Sequence, residues 1–290
     1  MNAPLLFEPS PDAVYGFAHA RLVERVQSPY QTIEIWDTPQ LGRLFTLDGR
    51  PMTSAGDEFI YHECMVHPAA LAHPAPRAAL VLGGGDGGAA RQLLKHPGIE
   101  RIVVAELDAE VVRVTREHLP DVHGGAFDDP RVELVIGDAA HYVAAAATAT
   151  FDLVVFDLTP PDSPAASLYT PAFYARLKRV LRSDAALSLH LGSPYFHAQR
   201  VAELLADLRV AFTHVRTMST FVPLYGSLWM MAIASDTLDA AALSADTLAE
   251  RVAARGIASL RHYEPALHAA LFSASRAVRD KLSPWLTPSS

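Results

Sequence analysis

The segment Val81-Leu82-Gly83-Gly84-Gly85-Asp86-Gly87-Gly88, with Glu106 eighteen residues beyond Gly88, constrains this chain more than any other feature. An apolar run from Ala78 to Leu82 reads as a strand, and the glycines after it permit a tight turn. A helix is expected from about Gly88, and a second strand from Arg101 to Ala105 ends in an acid. Strand, glycine turn, helix and strand in that order build the nucleoside corner of parallel α/β sheets. The glycines let backbone approach the ligand, and the acid accepts both ribose hydroxyls. Asp86 is the anomaly, because a carboxylate inside this loop repels a pyrophosphate and attracts a cationic ligand.

Around this corner, strands are expected at 78–82, 101–105, 131–136, 152–157 and 186–191, separated by helical stretches. That alternation predicts a parallel sheet with helices on both faces. Segments 213–218 and 227–234 read as a closing antiparallel pair, and 238–282 as terminal helices. The alanine-rich Ala144 to Ala149 reads as a helix end or loop. Residues 30 to 50 alternate with a period of two, and Asp48-Gly49 is a hairpin turn signal, so the N-terminal piece reads as a small antiparallel sheet. A helical period runs from Asp57 to about Leu71. The expected fold is therefore α/β: a small N-terminal antiparallel β domain (1–56) and a larger Rossmann-like domain (57–290).

Composition excludes several functions. No apolar run approaches the eighteen or so residues of a membrane span, and the N-terminus lacks the basic-then-apolar pattern of a signal peptide. The one cysteine, Cys64, forms no internal disulfide and fits a reducing, cytoplasmic setting. A net charge of −8 without a lysine or arginine run argues against nucleic acid as a partner.

Ligands of open parallel sheets sit at the carboxyl ends of the strands. Here those ends carry Gly83–Gly88, Glu106, Gly137-Asp138-Ala139, Asp157 and His190. Each acid alone suits a turn or helix cap equally well, but the set at matching strand ends points to a ligand. Glu106 suits a ribose diol and Asp138 an adenine amino group, since a carboxylate only accepts hydrogen bonds. Asp86 and Asp157 are left facing whatever extends from the nucleoside, which should be positive. Gly83, Gly85 and Gly88 satisfy GxGxxG, yet Asp86 disfavours a nicotinamide dehydrogenase. His62 and His67 are five apart and share a helix face poorly, so no metal site is expected. No GxSxG elbow is present.

The matching pieces resemble the spermidine synthases, the polyamine aminopropyltransferase family. They are Ser28-Pro29-Tyr30-Gln31, Leu47-Asp48-Gly49, Asp57-Glu58-Phe59-Ile60-Tyr61-His62-Glu63, the GGGDGG of 83–88, Glu106-Leu107-Asp108, Gly137-Asp138-Ala139, the stretch from Asp157 to Ala165 and Tyr263-Glu264-Pro265. The resemblance spans roughly residues 25 to 280. It implies a β domain on a methyltransferase-like Rossmann domain, assembled as a homodimer or homotetramer. It also implies decarboxylated S-adenosylmethionine as co-substrate without a prosthetic group, a small-molecule amine acceptor, and methylthioadenosine as the product released.

Residue by residue, the resemblance implies that Gln31, His62 and Asp86 hold the aminopropyl end of the donor or its surroundings. It gives Glu106 the ribose, Asp138 and Ala139 the adenine, and Pro164 the lining of the base. Asp157 matches the proton acceptor, and Tyr61 and Tyr225 match residues beside the attacking amine. Decarboxylation removes the only anion of the donor, so Asp86 complements this donor and would repel the carboxylate of S-adenosylmethionine.

The departures from the family pattern fall on the acceptor side. Pro160 stands where a second acid is usual, with Asp162 two positions later as a substitute or a surface turn residue. His190 replaces a glutamine near the acceptor, as an amine-side residue or a satisfied core histidine. The Leu224-Tyr225-Gly226-Ser227-Leu228 loop is one residue short, and Met52 replaces a second glutamine. The acceptor is thus open between putrescine and a different or longer polyamine. The alternatives are an S-adenosylmethionine methyltransferase, which Asp86 disfavours, and a non-catalytic polyamine-binding homologue, against which Asp157, Tyr61 and Tyr225 argue.

Overall fold

The computed structural model describes residues 3–286 and contains two sheets. The smaller has five antiparallel strands in chain order: β1 (Ala3–Ser10), β2 (Ala13–Gln27), β3 (Thr32–Thr38), β4 (Gly42–Leu47) and β5 (Arg50–Ser54). Asp48-Gly49 makes the expected two-residue turn, with φ of 48° and 74° and Leu47 paired to Arg50 across it. Strands β1 and β2 extend this sheet beyond the alternation visible in the sequence. Pro4 and Pro9 flank the two core residues of β1, Leu5 and Phe7, and β2 is largely exposed, so the alternation is too short to read in either strand. Backbone pairing to each other and to β3 defines them.

Helix α1 (Glu58–Ala72) follows, and then the alternating part. Its strands and helices are β6 (Ala78–Gly83), α2 (Gly88–Leu94), β7 (Arg101–Glu106), α3 (Ala109–His118), α4 (Pro120–His123), β8 (Val132–Ile136), α5 (Ala139–Ala145), β9 (Phe151–Asp157), α6 (Pro171–Val180), β10 (Leu181–Gly192), α7 (Ala198–Ala211), β11 (His214–Val222), β12 (Ser227–Ser235), α8 (Ala245–Ala254), α9 (His268–Leu271) and α10 (Arg276–Leu286). The larger sheet runs β11-β12-β10-β9-β6-β7-β8, parallel from β10 to β8 and antiparallel at β12 and β11. Strand β10 begins at Leu181, earlier than the apolar run 186–191 suggests, because a register irregularity separates Leu181 from Ala186 in its pairing with β9.

The chain fills β6, β7 and β8 outward in one direction and then returns to lay β9 and β10 on the other side of β6. This reversal puts a crevice at the carboxyl ends of β6 and β9, the place where open α/β sheets bind ligands. Apolar side chains of β6 serve both faces: Ala79 and Val81 pack with α1, and Leu80 and Leu82 with α6 and α7. Helix α1 is buried on nearly every side. A third cluster joins Ile33, Ile35, Phe45 and Leu47 of the small sheet to Val111 and Val114 of α3, so the small sheet is seated against the helix that follows Glu106.

Candidate active site

The crevice encloses a cavity of about 350 Å³, lined by the glycine loop, the ends of β7 and β9, the segment after β9, and residues of the small sheet. The backbone of the loop meets that of β9 closely. Gly83 pairs with Asp157 in register and has φ of 75°, and a Cβ there would lie 2.3 Å from the Asp157 carbonyl. Gly84 N–H donates to that same carbonyl at 2.9 Å. Only glycine combines the left-handed backbone with this approach.

One end of the cavity is built by Glu106 and Asp138, with Asp108 behind Glu106. Glu106 accepts hydrogen bonds from the Asp108 N–H (2.9 Å) and the Gly85 N–H (3.1 Å). Burial pushes its carboxyl up to about 7, against the lowering by its Asp108 and Gly85 backbone donors. Asp138 caps α5 by accepting from the Ala140 N–H at 2.7 Å, and its side chain stays half-exposed at the cavity wall beside Ala139. Pro164 and Ala165 line the same cavity. Gln31 comes to this end from the small sheet, its side-chain amide donating to Asp108 at 3.1 Å, while the Ser28 hydroxyl donates to the same carboxylate oxygen at 2.5 Å.

Asp86 faces the cavity, with one oxygen accepting from the Gly88 N–H at 2.9 Å and the other from the Thr53 hydroxyl. Burial raises its carboxyl, opposed by the charge of His62. Asp157 also lines the cavity, and its Oδ2 is buried without a hydrogen-bond partner.

His62, expected at the aminopropyl end of the donor or in its surroundings, is absent from the wall of this cavity and lies behind Asp86 and Asp157. Its side chain is 1% exposed, with Nδ1 2.7 Å from Glu58 and Nε2 3.6 Å from Asp86 and 3.7 Å from Asp157. Its ring blocks any side chain at position 88, where a Cβ would sit 2.2 Å from the imidazole. His67, five residues on, turns to Gln92 and His96 instead. The two histidines do not converge.

Aromatic rings form the wall beyond Asp157. Tyr61 and Tyr225 pack edge to face at 6.1 Å, and Tyr225 contacts Trp229 at 4.4 Å. Burial and the Asp157 charge hold the Tyr61 phenol well above its ordinary range. The Tyr225 hydroxyl donates to the Met52 carbonyl at 2.8 Å, so its ring rather than its hydroxyl faces the cavity contents. His190 is a buried wall residue engaged through Nε2 alone, its Nδ1 being buried without a hydrogen-bond partner. Its Nε2–H meets the Leu158 carbonyl at 2.7 Å and the Tyr169 hydroxyl at 3.1 Å, its ring stacks on Trp229, and burial lowers it to about 4, so it is neutral.

Asp162 is committed. Its Oδ1 accepts from Arg50 at 2.8 Å and Arg200 at 3.2 Å, which hold it below the usual carboxylate range against partial burial. Trp229, Thr53, Arg50, Arg200 and Glu58 went unnoticed as site residues in the sequence. Glu58 carried a signal, its i,i+4 spacing to His62 on one helix. Thr53 and Trp229 carried none, because only the folded chain brings them to the crevice.

The spermine/spermidine synthase domain matches residues 58–244 of this chain. The polyamine aminopropyltransferase of Nitrosomonas europaea is 46% identical over 274 residues, covering 94% of this chain and 84% of the relative. That of Moorella thermoacetica is 36% identical, covering 94% of each chain. Among solved structures, a spermidine synthase bound to the transition-state analogue AdoDATO superimposes with a TM-score of 0.87 at 30% identity, over 94% of this chain and 92% of that one. The Thermotoga maritima spermidine synthase superimposes with a TM-score of 0.89 at 29% identity, over 98% and 95%.

Proposed function

The chain belongs to the spermine/spermidine synthase family, and from that premise we propose that it moves the aminopropyl group of decarboxylated S-adenosylmethionine onto a small amine held at Asp157, releasing 5′-methylthioadenosine. The observation that carries this reading is the placement of Asp86 and Asp157 together at the inner end of a cavity whose other end is a nucleoside cradle. A donor with a sulfonium and a terminal ammonium meets complementary charge there, while an α-carboxylate would meet repulsion.

The chemistry follows from the acceptor. An alkylamine of pKa about 10.4 must lose a proton before it attacks, at a cost of roughly 4 to 5 kcal/mol at pH 7. Asp157 aligns the amine with the carbon–sulfur bond and receives that proton, and Tyr61 orients the nitrogen. The aromatic wall of Tyr225 and Trp229 covers the methylene chain of the acceptor. One in-line displacement then forms the carbon–nitrogen bond as the sulfur leaves, with most of the catalytic gain coming from orientation. The displacement itself calls for no group beyond the two substrates.

Asp162, neutralised by two arginines, does not reproduce a free second acid, so the acceptor is gripped chiefly at its reacting end. We read the enzyme as a cytoplasmic homodimer or homotetramer. The exposed Leu6 and Val14 of the first hairpin supply apolar surface for such an assembly, and no helix among the described residues is long and apolar enough to cross a membrane. The test is product mass: the protein is incubated with decarboxylated or ordinary S-adenosylmethionine and with putrescine, cadaverine, diaminopropane, agmatine or spermidine. Aminopropyl gain from the decarboxylated donor alone is the expected result. Methyl gain would establish a methyltransferase, and no product with any amine would establish a binding protein.

A further inference from the structure

Beneath the cavity floor runs a line of charged groups to which aminopropyl transfer has so far assigned no task. The Arg91 guanidinium donates to Glu58, and the other oxygen of Glu58 lies 2.7 Å from His62 Nδ1. On the far side of the ring, Nε2 faces Asp86 Oδ2 at 3.6 Å and Asp157 Oδ2 at 3.7 Å. Both Nε2 and Asp157 Oδ2 are buried without hydrogen-bond partners. The Glu58 and His62 side chains are 2% and 1% exposed. The other ionisable groups nearby are Tyr61 of the same helix, Asp57 before it, and Tyr225 across the cavity.

Because Glu58 engages Nδ1–H, Nε2 is where this ring gains or loses a proton. Burial opposes the charged form, but Asp86, Asp157 and Glu58 together raise His62 well above its ordinary range. Three carboxyl groups thus surround the ring, at 2.7, 3.6 and 3.7 Å, and favour its protonated form.

We propose that Glu58 and His62 form the proton sink of the reaction: the cationic donor, entering beside Asp86, displaces the proton from His62 Nε2, and the vacated nitrogen then takes up, by way of Asp157, the proton lost by the acceptor amine. This proposal rests on the aminopropyl-transfer reading. The amine lone pair forms the carbon–nitrogen bond, and the carbon–sulfur electron pair leaves with methylthioadenosine. One N–H proton passes to Asp157 and on to Nε2. Product release restores the starting imidazolium, so each cycle delivers one proton to solvent, at donor binding.

Basicity favours such a sink. A carboxyl of pKa about 3.9 lies more than six units below an alkylamine, and an imidazole near 6.5 narrows that gap to about four. The 3.7 Å between Nε2 and Asp157 must close by about 0.7 Å to become a hydrogen bond, and catalytic hydrogen bonds commonly tighten when substrates bind. Glu58 is then a positioning residue, fixing the tautomer and raising the basicity of Nε2.

Calorimetry in buffers of different ionisation enthalpy tests the first half. Decarboxylated S-adenosylmethionine should release about one proton more than methylthioadenosine, which has the same nucleoside and no positive charge. His62→Gln should abolish the difference. The second half is read from kinetics: Glu58→Gln should move the acid limb of kcat down by about one pH unit and lower kcat at pH 7 roughly tenfold, with donor KM changed less than threefold. A purely structural role would lower activity without moving the limb. Equal proton release by the two ligands, or an unmoved limb in Glu58→Gln, overturns the proposal. If either variant fails to fold, the proton-release comparison on the unmodified protein decides alone. Failure of the underlying reading would look different, as absence of any aminopropyl product from the unmodified protein.

Discussion

Gly83 and Asp157 face each other in register at the ends of adjacent parallel strands, so close that the glycine loop and the residue proposed as proton acceptor share one backbone contact. Gly83→Ala would push a methyl group onto the Asp157 carbonyl in a backbone conformation alanine avoids. We expect a destabilisation of about 1 to 3 kcal/mol and a loss of about 100-fold in kcat, larger than the loss in donor affinity, since a shift near 1 Å at the reacting centre suffices. Thermal melts and steady-state kinetics on one preparation check both values.

Asp157 carries an unpartnered oxygen at the cavity. Asp157→Asn keeps its shape and removes its basicity, so turnover should fall by about 10² to 10⁴ while methylthioadenosine binds within about threefold of normal. Near-normal turnover would remove Asp157 from the reaction.

Asp86 should discriminate between donors by repulsion. Asp86→Asn is expected to weaken decarboxylated S-adenosylmethionine by about tenfold or more and to improve ordinary S-adenosylmethionine as a competitive inhibitor. Inhibition constants for the two ligands in both proteins give the answer; parallel changes in the two would refute the idea.

Glu106 sets a pH dependence. Its folded-state carboxyl sits near 7, above the ordinary 4.5, so the folded state binds the proton more tightly than the unfolded chain. Its contribution is therefore unfavourable to folding above about pH 7, and that penalty fades as pH falls toward 4.5. Glu106→Gln removes this pH-dependent penalty but sets its NH2 against one of the two backbone donors, so relative to the parent the variant should gain up to about 3 kcal/mol of stability between pH 5 and pH 8. Both hydroxyls of a ribose diol can donate to the two oxygens only when the carboxyl is ionised, so methylthioadenosine affinity should drop up to tenfold per pH unit below 7, and the variant should bind weakly with a flat profile. Denaturation at two pH values and a binding titration across pH 5.5 to 8.5 test the pair of expectations.

The parallel sheet and its acids were legible because each strand from β6 to β9 is a short apolar run ending in a polar punctuation mark, and the crossover rule then places those ends together. The hairpin at Asp48-Gly49 was legible for the same local reason. What the sequence concealed depends on distant pairing. Strand β2 buries little and leaves no apolar alternation to read, and in β1 only Leu5 and Phe7, between two prolines, turn into the core. His62 stands in a helix buried all round, and nothing in the helical period says whether it lines the cavity or backs it. Asp162 looked available until the fold brought Arg50, 112 residues earlier, onto its oxygen.

The packing of Ile33, Ile35 and Phe45 on α3, together with the Ser28 and Gln31 contacts to Asp108, ties the small sheet to the larger one through an apolar seam and a carboxylate. Such a seam couples their melting. Heating should give a single calorimetric transition whose van't Hoff and calorimetric enthalpies agree for the protomer. A nucleoside seated at Glu106 should also slow amide exchange in β3, none of whose residues lines the cavity.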